Sequence, residues 1–432
     1  MLRIIHQQAE AETELRRIRE RTRDDQIRLT FATVREILAT VKRSGDLALL
    51  DYTEKFHGET LNLHSLRVRG SELDAAYQQI NSELLDAIQL ACSKIEEFHR
   101  QRVPSSWVQF GEDDVVLGKR YTQVDRAGIY IPGGKASYPS TVLMNAIPAK
   151  VAKVPRIVMV TPPGENGKIN AAVLVAAVEA GVEEIYRVGG AQAIAALAYG
   201  TKTIPKVDVI TGSGDIYVTV AKKMVYGTVA IDSLGGPPEV LIIADGEANP
   251  LWVAADLLAQ AEHDPMAAAI LVTTDDLLAQ KVRQEVERQL EDCPFRIMTE
   301  KAIAHYGLIV LVDSLEIAAE LSNLFAPEHL QLQVADPWEI LELIRHAGAI
   351  FLGNSTPEAV GDYLAGPNHS LPTCGAARYA SPLGVETFMK HSSLIQYSPI
   401  ALKKMSSAIQ ILADAEGLPG HGKSVRFRNI GG

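Results

Sequence analysis

A chain of 432 residues exceeds the roughly 100 to 200 residues of a usual domain, so at least two packed units are expected. Hydrophobic residues make up 47%, and the longest apolar stretches, 171–178 and 309–312, fall far short of the roughly 18 residues a membrane-spanning helix needs. A formal net charge of -11 with both signs interspersed leaves no basic stripe for a phosphate backbone, so neither membrane nor nucleic acid is an expected partner.

The chain opens Met1-Leu2-Arg3-Ile4-Ile5-His6 and then mixes Glu12, Glu14 and Glu20 with arginines. That is neither the apolar core of a secretory signal nor an acid-free transit peptide, and a cytoplasmic location is expected. Residues 1–100 read as mainly helical, with apolar spacing through Leu84, Ile88, Ala91 and Ile95. From 156 to 227 short β-branched runs alternate with helical patterns: strands at 157–160, 184–188 and 207–210, helices at 170–180, 191–199 and 216–226. A second series follows. Strands are expected at 240–244, 269–273, 308–312, 329–334 and 349–352. Helices are expected at 250–263, 277–290, 315–325 and 337–346, the first with Asn249 as N-cap and Pro250 at its first position. After Ser381 the character changes, ending in a Gly-rich, cationic stretch at 417–428. The fold class is therefore α/β: two doubly wound, Rossmann-like parallel-sheet domains with helical N-terminal and C-terminal arms. The expected plan is an N-terminal arm at 1–25, a first α/β domain from 26–125 with 239–380, a second at 126–238, and a C-terminal arm at 381–432.

Three cysteines, Cys92, Cys293 and Cys374, with no CxxC spacing leave any metal to nitrogen and oxygen ligands. In Leu257-Leu258-Ala259-Gln260-Ala261-Glu262-His263-Asp264-Pro265, Gln260 and His263 are three apart and share a helical face, although a histidine near a helix C-terminus is also favoured by the dipole alone. Further candidate ligands are Asp362, His369 and His421, which no regular spacing links. Ala326-Pro327-Glu328-His329 sets a carboxylate beside an imidazole, two proton acceptors of different basicity, or else two surface polar residues after a helix-ending proline. The loops Gly128-Ile129-Tyr130-Ile131-Pro132-Gly133-Gly134, Val188-Gly189-Gly190-Ala191-Gln192 and Gly212-Ser213-Gly214-Asp215 sit at strand ends, where α/β proteins place nucleotides, but none fits GxGxxG. Cys374, in Pro372-Thr373-Cys374-Gly375, invites a thiohemiacetal; a small residue in a tight turn is the plainer role.

Taken together, GIYIPGG, YPSTVLMNAIPAKVA, RVGGAQAIAALAYGT, DLLAQAEHDP, APEHLQL and EGLPGHGKSVRFRN resemble the histidinol dehydrogenase family from the Ser44-Gly45-Asp46 region to Arg428. The resemblance implies an NAD-dependent, four-electron oxidation of L-histidinol to L-histidine through bound L-histidinal, the last step of histidine biosynthesis. It implies one zinc held by Gln260, His263, Asp362 and His421, and general bases Glu328 and His329. Substrate would meet Pro238, Gln260, His263, His329, Asp362, His369, Glu416 and His421, and NAD would meet Tyr130, Gln192 and Asp215. The first α/β domain would carry the zinc and bases, the second the NAD loops. A homodimer is implied in which the C-terminal arm of one subunit completes the other's site. Zinc would orient the substrate, His329 would take the hydroxyl proton, and Glu328 would activate water for the second oxidation.

The chain departs from the family pattern in three places. Asp215 puts a carboxylate where an amide usually meets the anionic cofactor, Pro238 replaces a substrate-contacting serine, and Asp232-Ser233-Leu234 alters the preceding loop. Pro238 and Asp215 motivate the alternative of a paralogue with the same zinc and NAD chemistry on another small amino alcohol or a sulfonated diol. Glu416 and His369 suit the imidazole-bearing cation histidinol. A zinc hydrolase, with Glu328 activating metal-bound water, would be marked by activity without NAD.

Overall fold

The computed structural model describes residues 2–21, 25–133 and 137–430. Gly134 of the first glycine loop and residues 22–24, where the N-terminal arm was expected to end, lie outside the described residues. In chain order the strands are β1 (Arg3–Ile5), β2 (Trp107–Phe110), β3 (Val116–Gln123), β4 (Arg126–Tyr130), β5 (Arg156–Thr161), β6 (Glu184–Arg187), β7 (Val209–Thr211), β8 (Ala230–Ile231), β9 (Glu239–Ala244), β10 (Ala268–Thr273), β11 (Gly307–Leu311), β12 (His329–Gln333), β13 (Ala349–Leu352) and β14 (Met389–Gln396). The chain divides into two units: residues 1–101 with 125–388, and residues 102–124 with 389–432.

The first unit holds two all-parallel sheets. One runs β6-β5-β4-β7-β8, the other β1-β11-β10-β9-β12-β13. Counted from its own first strand, each wind reads 3-2-1-4-5, with β1 added outside β11. The winding reverses between β4 and β7 in one sheet and between β9 and β12 in the other. Helices on both faces explain why β9 and β10 are buried at every residue, as their unbroken apolar runs suggest. Val240, Ile242, Ala269 and Leu271 face the helices Pro250–Ala261, Asp276–Leu290 and Arg296–Tyr306. Leu241, Ile243, Ile270 and Val310 face Gln8–Arg19 and Leu315–Phe325.

The helices of 26–101 were assigned from sequence to the domain of 239–380. They make their contacts with the five-stranded sheet's helices: Asp25–Ser44 on Gly190–Tyr199 and Ile216–Val225, Gly70–Tyr77 on Ala171–Glu179, and Ser82–Arg100 on Pro139–Val151. The N-terminal arm is helical except for β1, a three-residue run too short to show a period. Two expected helices are shorter than read: 250–263 stops at Ala261, and 337–346 is helical over Pro337–Leu341.

The second unit is an antiparallel sheet, β14-β3-β2, with two helices, Pro399–Ala415 and Pro419–Ile430, packed on each other. Gly417, at φ +69, ends the first helix in the left-handed region and Pro419 opens the second. The Gly-rich tail is thus a helical hairpin. Ser398 Oγ donates to Asp113 O at 2.6 Å, tying the hairpin to the segment before β3.

Candidate active site

In a parallel sheet the helix after a strand returns to the edge where strands begin. The helix Pro250–Ala261 follows β9, so its C-terminal end brings Gln260, and His263 just beyond, back to the edge where β9 opens with Glu239 and β12 with His329. These two strands flank the reversal of winding. Ala326, at φ 56, stops the preceding helix, and Glu328 and His329 turn inward with 8% and 5% exposure, which settles them as buried groups rather than surface ones.

His329 Nδ1 lies 3.2 Å from the backbone oxygen of Glu239 and 3.2 Å from Gln260 Nε2. The Glu239 carbonyl can only accept, so that bond needs the proton on Nδ1, whereas the Gln260 amide can only donate and bonds Nδ1 in the other tautomer; Nε2 is buried and has no partner among the described residues. Burial lowers the ring's pKa to about 3, which keeps it neutral. Glu328 Oε2 accepts from the backbone N–H of Glu239 at 2.9 Å. Burial, then the neighbouring Glu239 carboxylate, pushes the Glu328 pKa well up.

Around this pair lie more carboxylates than cations. Glu358 and Asp362 are four apart on the helix Glu358–Tyr363 and share a face. With His263 they offer three ligand atoms within 4.8 Å of one another. Glu358 Oε1 is 3.7 Å from His329 Nδ1, and its Oε2 is buried without a partner among the described residues. Burial pushes Glu358 well up, and Asp362 and Asp256 each to about 6. A bound cation would offset that crowding, and an imidazole with carboxylates and a nearby amide suits zinc. The residues present therefore fit the metal. His369 is half-buried with Nε2 unpartnered among the described residues, and burial, then His263, lowers its pKa to about 4.

The expected cofactor residues gather at the carboxyl ends of β4, β6 and β7, beside the other reversal of winding. Tyr130 Oη accepts from Gly190 N at 3.1 Å. Gln192 is 1% exposed, and among the described residues both atoms of its amide lack partners. Gly212, at φ +105, lies so close to Tyr130 that a Cβ would stand 2.1 Å from its backbone oxygen; no other residue fits. Lys222 donates to Gly212 O at 2.7 Å and pairs with Asp232, whose other oxygen accepts from Gly212 N at 2.8 Å. The altered loop at 232–234 thereby braces the glycine turn. Asp215 Oδ1 accepts from Tyr217 N at 2.9 Å and Val218 N at 3.0 Å, so its carboxylate caps the helix Ile216–Val225. Unpaired amide atoms on Gln192 and backbone N–H groups at helix starts fit a dinucleotide.

Pro238 is half-buried, and its carbonyl accepts from Ala268 N and Arg21. Glu416 and His421 belong to the second unit, Glu416 ending Pro399–Ala415 and His421 in the first turn of Pro419–Ile430, both exposed. Cys374 stands at φ 53, in a tight turn, with its N–H donated to Glu239 Oε2 at 3.2 Å. Sequence reading missed Glu358, Glu239 and Arg21. Glu358 carried a signal in its spacing to Asp362; Arg21 and Glu239 are joined across 218 residues, and no local pattern links them.

The family model for histidinol dehydrogenase matches residues 19–429. The chain is 72% identical to a "Histidinol dehydrogenase 2" of Trichormus variabilis, with 99% of each chain covered, and 68% identical to a "Histidinol dehydrogenase" of a Synechococcus species, again with 99% of each covered. A crystal structure of histidinol dehydrogenase from Elizabethkingia anophelis superposes with a TM-score of 0.89 at 40% identity, over 92% of this chain and 91% of that one.

Proposed function

Since the chain belongs to the histidinol dehydrogenase family, we propose that its residues divide the oxidation of L-histidinol as follows. The enzyme is an oxidoreductase that converts L-histidinol to L-histidine in histidine biosynthesis. Gln260, His263 and Asp362 hold zinc together with His421, and Tyr130, Gln192 and Asp215 line the NAD site. Zinc, when bound, supplies Lewis-acid anchoring of substrate nitrogens, and NAD supplies the hydride acceptor. The segment 239–380 carries the metal and bases, and 126–238 the cofactor loops.

His329 holds its tautomer through Glu239 O, so the Nε2 lone pair accepts the hydroxyl proton of histidinol. Glu328, oriented by Glu239 N, takes a proton from the water that adds to the aldehyde, and His329 accepts the next one. Retaining the aldehyde in the site keeps a reactive species from escaping. His369 and Glu416 suit the substrate's imidazole and amine. Pro238 offers its ring, since its carbonyl is already engaged.

The enzyme works as a cytoplasmic homodimer in which the arm at 381–432 brings Glu416 and His421 to the partner's site. Supporting this, the second unit exposes Phe110, Ile395 and Phe427 at 77%, 73% and 66%, apolar surface of the kind a partner covers. Among the described residues no helix is long and apolar enough to cross a membrane.

One observation carries the reading: Glu358 stands in the cluster with His263 and Asp362 and also lies 3.7 Å from His329, linking the proposed ligands and base in one group of side chains. The test is His329→Asn and Glu328→Gln, assayed separately on histidinol and histidinal, with zinc counted per chain. His329→Asn should slow both oxidations by about 10² to 10⁴-fold at unchanged zinc, and Glu328→Gln chiefly the second. Zinc lost with His329→Asn would make it a ligand instead, and unchanged turnover in both variants would refute the assignment.

A further inference from the structure

We infer that Arg21 is a positioning residue: its ion pair with Glu239 fixes the backbone of residue 239, and through that backbone both Glu328 and His329. The inference rests on the catalytic roles proposed for that pair.

Glu239 sits at the start of β9, where the ladder to β12 runs out, Val240 being the residue registered with His329. Its backbone N–H and C=O therefore turn to side chains, the N–H to Glu328 Oε2 at 2.9 Å and the C=O to His329 Nδ1 at 3.2 Å. Any shift of residue 239 moves both catalytic groups together. What holds it is its own side chain, whose exposure is 0%.

Glu239 Oε1 accepts from Arg21 Nη1 at 2.9 Å and Oε2 from Cys374 N at 3.2 Å. Arg21 is equally buried, at 1%, just beyond the N-terminal helix. Its Nε donates to Met266 O at 2.7 Å, Nη1 also to Ile18 O at 2.8 Å, and Nη2 to Pro237 O at 3.1 Å and Pro238 O at 3.3 Å, while Tyr306 stacks beneath at 5.6 Å. One planar group thus ties the first helix, the loop entering β10 and the strand that aims the catalytic pair. A buried ion pair is poor at raising stability, because desolvating both charges offsets their attraction. Holding a geometry is what a rigid five-donor fork does well.

The test uses full-length, zinc-loaded enzyme carrying Arg21→Lys and the double replacement Arg21→Met with Glu239→Gln, which leaves no uncompensated charge. Turnover, KM for histidinol, zinc per chain and melting temperature are read for each. The expected result for the double variant is a folded protein with parental zinc and KM but kcat lowered about 10 to 100-fold, the loss that misplacement of about 1 Å brings. Arg21→Lys, which keeps a charge but not the fork, should fall between it and the parent. Parental kcat in the folded double variant overturns the inference, and so does a kcat loss that follows zinc loss in proportion. Should the double variant not fold, Arg21→Lys decides by the same criterion: lowered kcat at constant KM and zinc supports the clamp, parental kcat overturns it. Failure of the underlying assignment reads differently, since Glu328→Gln and His329→Asn would then keep parental turnover themselves.

Discussion

Asp256 gives a pH prediction whose sign follows from its setting. It stands one turn before Gln260 on the helix Pro250–Ala261 and accepts from Gln333 Nε2 at 2.8 Å. Burial is the largest influence and lifts its pKa from 3.8 to about 6, against the lowering effect of hydrogen bonds from Gln333 and Gln331. A carboxyl that binds its proton more tightly in the folded chain adds stability below its unfolded pKa, and that stability is lost as pH rises through the folded value. Ionisation of Asp256 thus destabilises the fold progressively between about pH 4 and pH 6. A shift of about two units corresponds to roughly 3 kcal/mol at most, and partial exposure reduces this to about 1–2 kcal/mol. Asp256→Asn keeps the shape and the link to Gln333 without the charge. In urea unfolding of metal-stripped protein it should match the parent near pH 4, gain about 1–2 kcal/mol by pH 6.5, and hold that gain to pH 8. A gain independent of pH, or none at pH 8, would refute the reasoning.

Three further outcomes are expected. Lys222→Met leaves the Asp232 carboxylate buried beside the Gly212 turn without its cation; it should cost about 3–5 kcal/mol and weaken NADH binding measured by fluorescence titration, with zinc content unchanged. Asp215→Ala should lower stability by about 1 kcal/mol through loss of the cap on Ile216–Val225, whereas Asp215→Asn keeps the cap and should tighten NAD binding; equal stability of Ala and Asn variants in thermal melts would count against the capping role. His421→Asn should lower the zinc bound per chain measured by elemental analysis, and mixing it with an Asp362→Asn variant should restore part of the activity through sites built from two subunits; no recovery would argue against an exchanged arm.

Much of the fold could be read from the chain because its signals are local. The buried strands show as unbroken apolar runs, as in β9 and β10, and Asn249 before Pro250 marks a helix start that the side-chain bond to Leu251 N bears out. The family's motifs named the reaction because each lies within a few consecutive residues. β1 was missed because three residues carry no period; the C-terminal arm is helical as read, but its strand β14 was missed, being paired with β3 from far earlier in the chain.

The sequence by itself determined the alternation of strands and helices, the residue types available for metal and proton transfer, and the family. Only the tertiary structure decided which of them meet. Repeated 3-2-1-4-5 winding puts Glu239 beside His329, 90 residues on, and returns Gln260 and His263 to the same edge. It also showed that Asp215 spends its charge on a helix end and that Arg21 anchors residue 239. Contacts of that range depend on strand order and on which face of a sheet a helix covers, and neither leaves a trace in the spacing of neighbouring residues.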